Sequence, residues 1–141
     1  MKKNNVRLPD SYKPGEGEAF MSLQQREYFR QKILKWRQEI MHGAAETLSS
    51  LKTTMIREAD LNDQATMETD LSLELRARDR DRKLLNKIDA ALERINEGSY
   101  GYCEETGEPI ALARLEARPI ATLSIEAQER HERKERIFRE E

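Results

Sequence analysis

The sequence feature that most limits the possible folds is a pair of apolar stripes with helical spacing, separated by a short polar segment. Within each stripe, apolar or small residues recur every three or four positions, as they do on one face of an α-helix. The first stripe consists of Phe29, Ile33, Trp36, Ile40, Ala44, Leu48, Leu51 and Met55, and the second of Met67, Leu71, Leu75, Leu85, Ile88, Leu92 and Ile95. Two long helices joined by a short polar turn predict an antiparallel coiled-coil hairpin.

Local signals mark the ends of these two helices. Ser22 and Gln25 fit a capping box, so we expect the first helix to begin at Ser22. The first stripe fades over residues 57–63, whose Asp and Asn side chains favour turns over helix interior. The second helix should end at residues 96–98, where Gly98 is suited to a left-handed terminator.

The two stripes also agree in register. Pairing Phe29 with Ile95 and Trp36 with Ile88 puts the fold-back at about residue 62, inside the polar segment. The remaining pairs are Ile40 with Leu85 and Leu51 with Leu73 or Leu75. At about 1.5 Å of rise per residue, the paired helices would reach roughly 45 Å.

Residues 76–83 (RARDRDRK) interrupt the second stripe, because they include no large apolar side chain. In the predicted register they face residues 43–45, whose small side chains leave space for arginine stems. A run of this kind is usually a solvated helix face with internal ion pairs. The alternative is a basic docking surface for a partner.

Composition fits a thin helical molecule without a basic surface. Charged residues make up 37% of the chain and hydrophobic residues another 37%, so we expect an elongated shape with a small core. The net charge is −2, from 25 basic and 27 acidic residues, which disfavours DNA as the main partner. The sequence has neither a membrane-spanning apolar stretch nor a secretory signal, so a cytoplasmic location is expected.

The predicted fold class is mainly α, with a hairpin and a small globular part. Residues 1–21 form an N-terminal arm, which Tyr12 and Phe20 are suited to dock. Residues 22–97 form the hairpin, with its tip near 59–66. Residues 98–127, called the knuckle below, have the outline of a zinc ribbon, and residues 128–141 form a C-terminal helix that starts near 124.

The knuckle lacks the ligands of a zinc ribbon. Its four ligand positions hold Cys103, Thr106, Ser124 and Ala127, and one thiolate, two hydroxyls and a methyl group cannot complete a tetrahedral zinc shell. We therefore expect no zinc, a buried Cys103, and hydroxyls that bond to each other or to backbone groups. Packing would come from Ile110, Leu112, Leu115, Ile120, Leu123 and Ile125. The alternative is a metal held by Cys103 with Glu104, Glu105 or His131.

Four short motifs give the chain a resemblance to a known family. They are residues 73–76 (LELR), 80–83 (RDRK), 100–104 (YGYCE) and 114–119 (RLEARP). In these motifs, and over roughly residues 20–130, the chain resembles the DksA family of RNA polymerase-binding transcription factors. The resemblance implies a protein that enters the secondary channel of bacterial RNA polymerase and alters open-complex stability. With the alarmone ppGpp, such a protein would serve the stringent response, repressing ribosomal promoters and activating some biosynthetic ones.

The resemblance also assigns a role to the hairpin tip. The family's Asp-x-x-Asp-x-Ala motif is matched by Asp60, Asp63 and Ala65. Both carboxylates would act near the polymerase catalytic centre through charged hydrogen bonds, and Ala65 would allow close approach by being small. Without the resemblance, a helix end at Asp60 and a helix start at Asp63 would be the preferred explanation of these two residues.

The resemblance further implies a ppGpp interface shared with the polymerase, to which five positions are assigned. These positions are Leu84, Lys87, Arg118, Glu126 and Gln128. Lys87 and Arg118 supply cations suited to pyrophosphate, whereas Gln128 stands where relatives have a lysine, so ppGpp synergy should be retained but weakened. The simpler alternatives are an exposed helix lysine for Lys87 and a salt bridge with Glu116 or a hairpin carboxylate for Arg118.

Two other functions remain open at this point. Transcript-cleavage factors of similar shape use acidic tip residues to help hold a second catalytic magnesium, and a structural coiled-coil adaptor would need no contact with the catalytic centre. An enzyme in its own right is not expected, because the sequence has no paired nucleophile and base, phosphate loop or metal cluster. We expect a monomer that binds RNA polymerase and ppGpp but neither DNA nor membranes.

Overall fold

In the computed structural model, the backbone is described for residues 6–61 and 64–140, and the side chains for the same ranges except 58–61, 64 and 140. Within these ranges, four helices follow one another: α1 (Leu23–Leu61), α2 (Gln64–Glu97), α3 (Leu112–Ala117) and α4 (Ile125–Glu140). Over the described ranges the chain forms no strand, and its β-structure is one isolated antiparallel bridge between Tyr102 and Pro109. The predicted mainly α fold is confirmed.

The predicted ends of the long helices agree closely with the structure. The Oγ atom of Ser22 accepts a hydrogen bond from the Gln25 N–H at 3.3 Å, as in a capping box. The return bond differs, because Gln25 Oε1 accepts from the Met21 N–H at 2.8 Å. Gly98 follows α2 with φ of 85°, the left-handed conformation that glycine adopts without strain.

The chain divides into two compact units, of which the first comprises residues 1–33 and 90–141. Its core combines the beginning of α1, the end of α2 and the knuckle. The largest fully buried side chains of this unit are Tyr100, Phe29, Ile33, Ile110, Leu115 and Gln25. Burial of Phe29 and Ile95 in this unit agrees with the predicted register.

The N-terminal arm belongs to the first unit and packs on the knuckle. The Phe20 ring lies edge-on to Tyr102, with ring centroids 5.3 Å apart, and Tyr12 lies edge-on to Tyr28 at 6.1 Å. Gly101 leaves room for the Met21 side chain, because a Cβ atom added there would lie 3.0 Å from Met21 Cε. The arm is thus docked by Tyr12 and Phe20, as predicted.

The second unit, residues 34–89, contains the rest of α1 and the beginning of α2. Arg37 Nε lies 2.9 Å from Asp89 Oδ1, a pairing that fits two antiparallel helices in the predicted register. On α1, the stripe residues Trp36, Ile40, Leu48 and Leu51 are all partly buried. The first stripe therefore lies on the inner face, as predicted.

The second stripe is only partly confirmed. Ile88 is buried, but Leu71, Leu73 and Leu75 are 38%, 58% and 55% exposed, so their predicted inward positions are wrong. The inner positions follow steps of three and four residues, and this heptad selects Met67, Asp70, Glu74, Ala77, Asp81, Leu84 and Ile88. Counting back from Ile88 in such steps reaches Glu74, which is 9% exposed, and leaves Leu73 and Leu75 on either side of it.

The C-terminal helix α4 also differs from expectation. Ile125, which was expected to help pack the knuckle, is exposed, and so are Ile137 and Phe138 near the end of the helix. The helix instead buries Ala127 near its start, and residues 129–139 are exposed throughout, so no described residue covers the apolar side chains near its end. In the part of the chain that the structure describes, no helix is both long and apolar enough to cross a membrane.

Candidate functional site

The knuckle is closed by backbone hydrogen bonds around a tight turn. The Cys103 N–H donates to the Glu108 carbonyl at 2.8 Å, and the Ile110 N–H donates to the Gly101 carbonyl at 2.7 Å. The turn passes through Gly107, whose φ of 73° suits glycine. A further bond from the Glu104 N–H to the Thr122 carbonyl, at 2.9 Å, ties the two sides of the knuckle together.

Cys103 is buried, as predicted, and its sulfur is surrounded by hydrogen-bond donors. Burial raises the pKa of the thiol, but a backbone hydrogen bond from Ser124 and a side-chain bond from Thr106 oppose that effect. Together with backbone bonds from Thr106 and Glu105, they lower the pKa of Cys103 to about 6. These donors therefore favour the thiolate form of Cys103.

The other three degenerate positions are occupied by groups that already have neighbours. Thr106 Oγ1 accepts the Glu108 N–H, and Ser124 Oγ accepts the Ala127 N–H, both at 3.3 Å. The hydroxyls thus bond to backbone groups, which is one of the two predicted arrangements. Ala127 is completely buried, so its methyl group fills the space of a fourth ligand.

These residues do not fit a zinc ion. One sulfur, two hydrogen-bonded hydroxyls and a methyl group offer a single strong ligand, where structural zinc requires four. In the alternative set, Glu105 pairs with His131 and lies 3.9 Å from Arg130. Among the residues that the structure describes, no three His, Cys, Asp or Glu side chains are grouped to hold a metal.

The RLEARP segment, residues 114–119, lies on α3 and directly after it, and its backbone is anchored at both ends. Arg114 Nε donates to the Leu123 carbonyl at 2.9 Å. The hydroxyl of buried Tyr100 donates to the Pro119 carbonyl at 2.7 Å. Leu115 is completely buried, whereas Arg118 is exposed.

Glu116 connects this segment to α1. Its Oε1 atom accepts hydrogen bonds from Lys32 Nζ at 2.7 Å and from the Tyr28 hydroxyl at 2.6 Å. Burial raises the pKa of Glu116, but the Lys32 and Tyr28 bonds outweigh it and hold the pKa below its usual value. Burial and the bond to Glu116 raise the pKa of Tyr28 to about 12, so Tyr28 remains a donor at physiological pH. Glu116 thus pairs with Lys32, where the sequence had suggested Arg118 as its partner.

The tip residues fall largely outside what the structure describes. Asp63 lies outside the described residues, and Asp60 belongs to the last turn of α1 with its side chain outside them. Ala65 is exposed in the first turn of α2. Helix α1 ends at Leu61 and α2 begins at Gln64, so the motif Asp60-x-x-Asp63-x-Ala65 extends across the connection between the two helices.

The five positions assigned to a ppGpp interface occur in both units. Leu84 and Lys87 belong to the second unit, where Leu84 is half-buried and Lys87 exposed. Arg118, Glu126 and Gln128 belong to the first unit. Gln128 Nε2 donates to Glu132 Oε1 at 3.2 Å along α4.

The charged run at residues 76–83 contains internal ion pairs. Asp79 pairs with Arg82 at 2.7 Å and with Lys83 at 3.0 Å. Hydrogen bonds from Lys83 and then Arg82 lower the pKa of Asp79. Arg78 lies 3.6 Å from Glu74. These pairs support the interpretation as a solvated, internally paired helix face.

Several contacts could not be found by sequence reasoning. Lys32 and Glu116 are 84 positions apart, and neither lies on an apolar stripe, so no periodic signal connects them. The pairing of His131 with Glu105, 26 positions apart, was missed for the same reason. For the contacts of the knuckle, the sequence offered one hint, the aromatic YGYCE motif, which includes buried Tyr100.

Comparison with known proteins gives consistent matches along most of the chain. Residues 25–95 match the family model described as DnaK suppressor protein DksA, N-terminal domain, and residues 98–133 match the prokaryotic dksA/traR C4-type zinc finger. The chain is 61% identical over 130 residues, covering 92% of each chain, to the RNA polymerase-binding transcription factor DksA of Caulobacter vibrioides (strain NA1000 / CB15N). It is 37% identical over 117 residues to the protein of the same name in Escherichia coli (strain K12), covering 83% of this chain and 78% of that one.

A solved structure supports the fold. The structure of transcription factor DksA2 from Pseudomonas aeruginosa superposes with a TM-score of 0.78 at 46% sequence identity, covering 84% of this chain and 91% of that one. The C4-type zinc finger model matches a segment in which this chain has one cysteine, Cys103. The sequence similarity therefore extends across the knuckle, although the metal ligands are not preserved.

Proposed function

Because the chain belongs to the DksA family of RNA polymerase-binding transcription factors, we propose that it binds bacterial RNA polymerase and regulates transcription initiation. The observation that carries the proposal is 61% identity, over 92% of both chains, to a relative named for polymerase binding. The relatives found are transcription factors, and we propose accordingly that this protein is not an enzyme. Binding to polymerase would place it in the cytoplasm, and we propose that it acts as a monomer.

The hairpin is the part that we propose enters the secondary channel. Asp60 and Asp63 would form charged hydrogen bonds with polymerase groups near the catalytic centre, where a low dielectric strengthens such bonds. Ala65 is exposed at the start of α2, and its small side chain would permit close approach. The four-part division into arm, hairpin, knuckle and C-terminal helix is part of this proposal.

We further propose that ppGpp is the effector of the complex. Arg118 offers a planar guanidinium and Lys87 an exposed ammonium, the two cations that suit pyrophosphate. Leu84, Glu126 and Gln128 would complete the set of contacts. Gln128 is neutral where the family resemblance implies a lysine, so the synergy with ppGpp would be weakened.

The knuckle would keep its shape without zinc. Its support is the network around Cys103, in which backbone and hydroxyl donors surround the sulfur, together with the buried side chains of Ile110 and Leu115. Zinc would not stabilise such a site and a chelator would not destabilise it, because no second thiolate is available to a metal. Activity should therefore be zinc-independent.

The test is a purified initiation assay at a ribosomal promoter, with and without ppGpp and with and without a chelator such as EDTA buffered by excess Mg²⁺. We expect inhibition that ppGpp enhances and that the chelator leaves unchanged. Loss of inhibition with the chelator would contradict zinc independence, and absence of inhibition would contradict the proposed function. Shortening of RNA in stalled elongation complexes would favour a transcript-cleavage factor instead.

A further inference from the structure

Arg118 combines a fixed backbone with an unengaged side chain. Its N–H donates to the Arg114 carbonyl at 2.7 Å, and its carbonyl accepts the Ala121 N–H at 3.0 Å. The side chain is exposed, and within the described part of the chain it forms neither an ion pair nor a hydrogen bond. An exposed guanidinium on a fixed backbone can bind an anion without the further cost of ordering the backbone, so only side-chain entropy is lost.

The segment before Arg118 is fixed by Lys32. Besides its ion pair with the Glu116 carboxylate, Lys32 Nζ donates to the Glu116 backbone carbonyl at 2.8 Å. This second bond acts directly on the backbone two residues before Arg118. Tyr28 adds a hydroxyl bond to the same carboxylate. On the other side of Arg118, Tyr100 holds the Pro119 carbonyl.

These contacts are too exposed to contribute much to stability. The Lys32 and Glu116 side chains are 32% and 45% exposed, and ion pairs of this kind are worth little net free energy. Their geometry is nevertheless specific, because one ammonium bonds to both the side chain and the backbone of the same residue. The contacts are therefore better explained by orientation of the segment than by stabilisation of the fold.

We propose that Lys32, acting through Glu116, is a positioning residue that presents the Arg118 guanidinium to a pyrophosphate-bearing ligand. The inference deepens the proposed function and rests on it, since ppGpp is the ligand in question. Lys32 does not contact the ligand. Its role is to fix the backbone that carries Arg118, so that the guanidinium reaches for the ligand from a defined position.

The experiment compares Lys32→Met with Lys32→Arg and with Lys35→Met, a matched control at an exposed lysine of the same helix. The readouts are inhibition of a ribosomal promoter without ppGpp and the ppGpp concentration that gives half-maximal enhancement. We expect Lys32→Met to raise that concentration about fivefold, as for the loss of one net hydrogen bond, with the ppGpp-free inhibition unchanged. Lys32→Arg, which can still donate to both oxygens, should largely restore the response, and Lys35→Met should leave it unchanged.

Combination with Arg118→Ala tests whether Lys32 acts through Arg118 or independently of it. If Lys32 acts through Arg118, Lys32→Met should have no further effect in the Arg118→Ala background. An unchanged ppGpp response of Lys32→Met, or an equal loss of ppGpp-free inhibition, would overturn the positioning role alone. An unchanged ppGpp response of Arg118→Ala itself would overturn the proposed ppGpp interface as well. Should Lys32→Met fold poorly by circular dichroism, Tyr28→Phe removes one hydroxyl and should shift the response in the same direction by less.

Discussion

The knuckle and the part of the hairpin nearest its turn differ in the side chains that occupy their inner positions. The knuckle has lost three of four metal ligands, yet it buries Ile110, Leu115 and Tyr100 and closes its turn with backbone bonds. The turn-proximal hairpin, defined here as residues 64–81 of α2, has a regular heptad but places Asp70 and Glu74 on its inner face.

The difference suggests how stability is distributed. A metal site can be replaced by packing and hydrogen bonds when the surrounding side chains are buried, as they are around Cys103. A long helix pair with acidic inner positions gains less from burial and opens more readily. In the turn-proximal hairpin, three leucines are instead exposed, so its apolar surface is available outside the helix pair.

The largest expected effect comes from a cavity in the unit that contains the knuckle. Leu115→Ala removes a completely buried side chain and should lower the free energy of unfolding by about 2–5 kcal/mol. The matched change in the turn-proximal hairpin, Leu73→Ala, removes a side chain that is 58% exposed and should change stability by no more than about 0.5 kcal/mol. Urea denaturation measures both. Equal losses in the two variants would contradict the contrast between the regions.

A stabilising substitution on the inner face of α2 tests the same difference between the knuckle and the turn-proximal hairpin. Glu74 is 9% exposed on the inner face, with Arg78 as a partner at 3.6 Å. Glu74→Leu should therefore raise the free energy of unfolding by about 1–2 kcal/mol and slow amide exchange along α2. Glu68→Leu, at an exposed position of the same helix, is the control and should have little effect. Destabilisation by Glu74→Leu would show that the acidic inner position is well compensated.

The thiolate of Cys103 gives the knuckle a pH dependence. Its pKa in the folded protein is about 6, below the usual value of about 8.5 in an unfolded chain. A depressed pKa contributes stability that is complete above the unfolded value and is lost as pH falls through the folded value. Stability should therefore decrease from about pH 8.5 to about pH 6, and Cys103→Ser should remove this slope.

Thiolate absorbance at 240 nm measures the same group directly. In the native protein it should titrate with a midpoint near pH 6, and in denaturant near pH 8.5. A native midpoint at the denatured value would mean that the donors around the sulfur do not stabilise its charge.

The sequence predicted those features that depend on short-range patterns. The α1 stripe, the docked arm, the end of α2 at Gly98 and the buried Cys103 all follow from spacing or from local residue chemistry. The second stripe failed at Leu71 and Leu75, because apolar residues one position away from the heptad produce nearly the same helical spacing. Only the pairing with α1 determines which of the two faces is inside.

The candidate site was less predictable than the fold. Arg118 was identified from the family motif, but its anchoring by Lys32, Tyr28 and Tyr100 depends on contacts between distant segments. Polar contacts of this kind have no periodicity, so a single sequence gives no sign of them. They become visible only in the structure, where α3 packs against the beginning of α1.

The central claim is that the hairpin tip acts on polymerase after binding it. The direct measurement compares the double variant Asp60→Asn and Asp63→Asn with a charge-matched control, Glu68→Gln and Glu93→Gln, at exposed positions of α2. Polymerase binding and inhibition of a ribosomal promoter are measured on the same preparations. We predict that the tip variant binds polymerase as well as the unaltered protein but no longer inhibits, whereas the control does both. Full inhibition by the tip variant would contradict the claim.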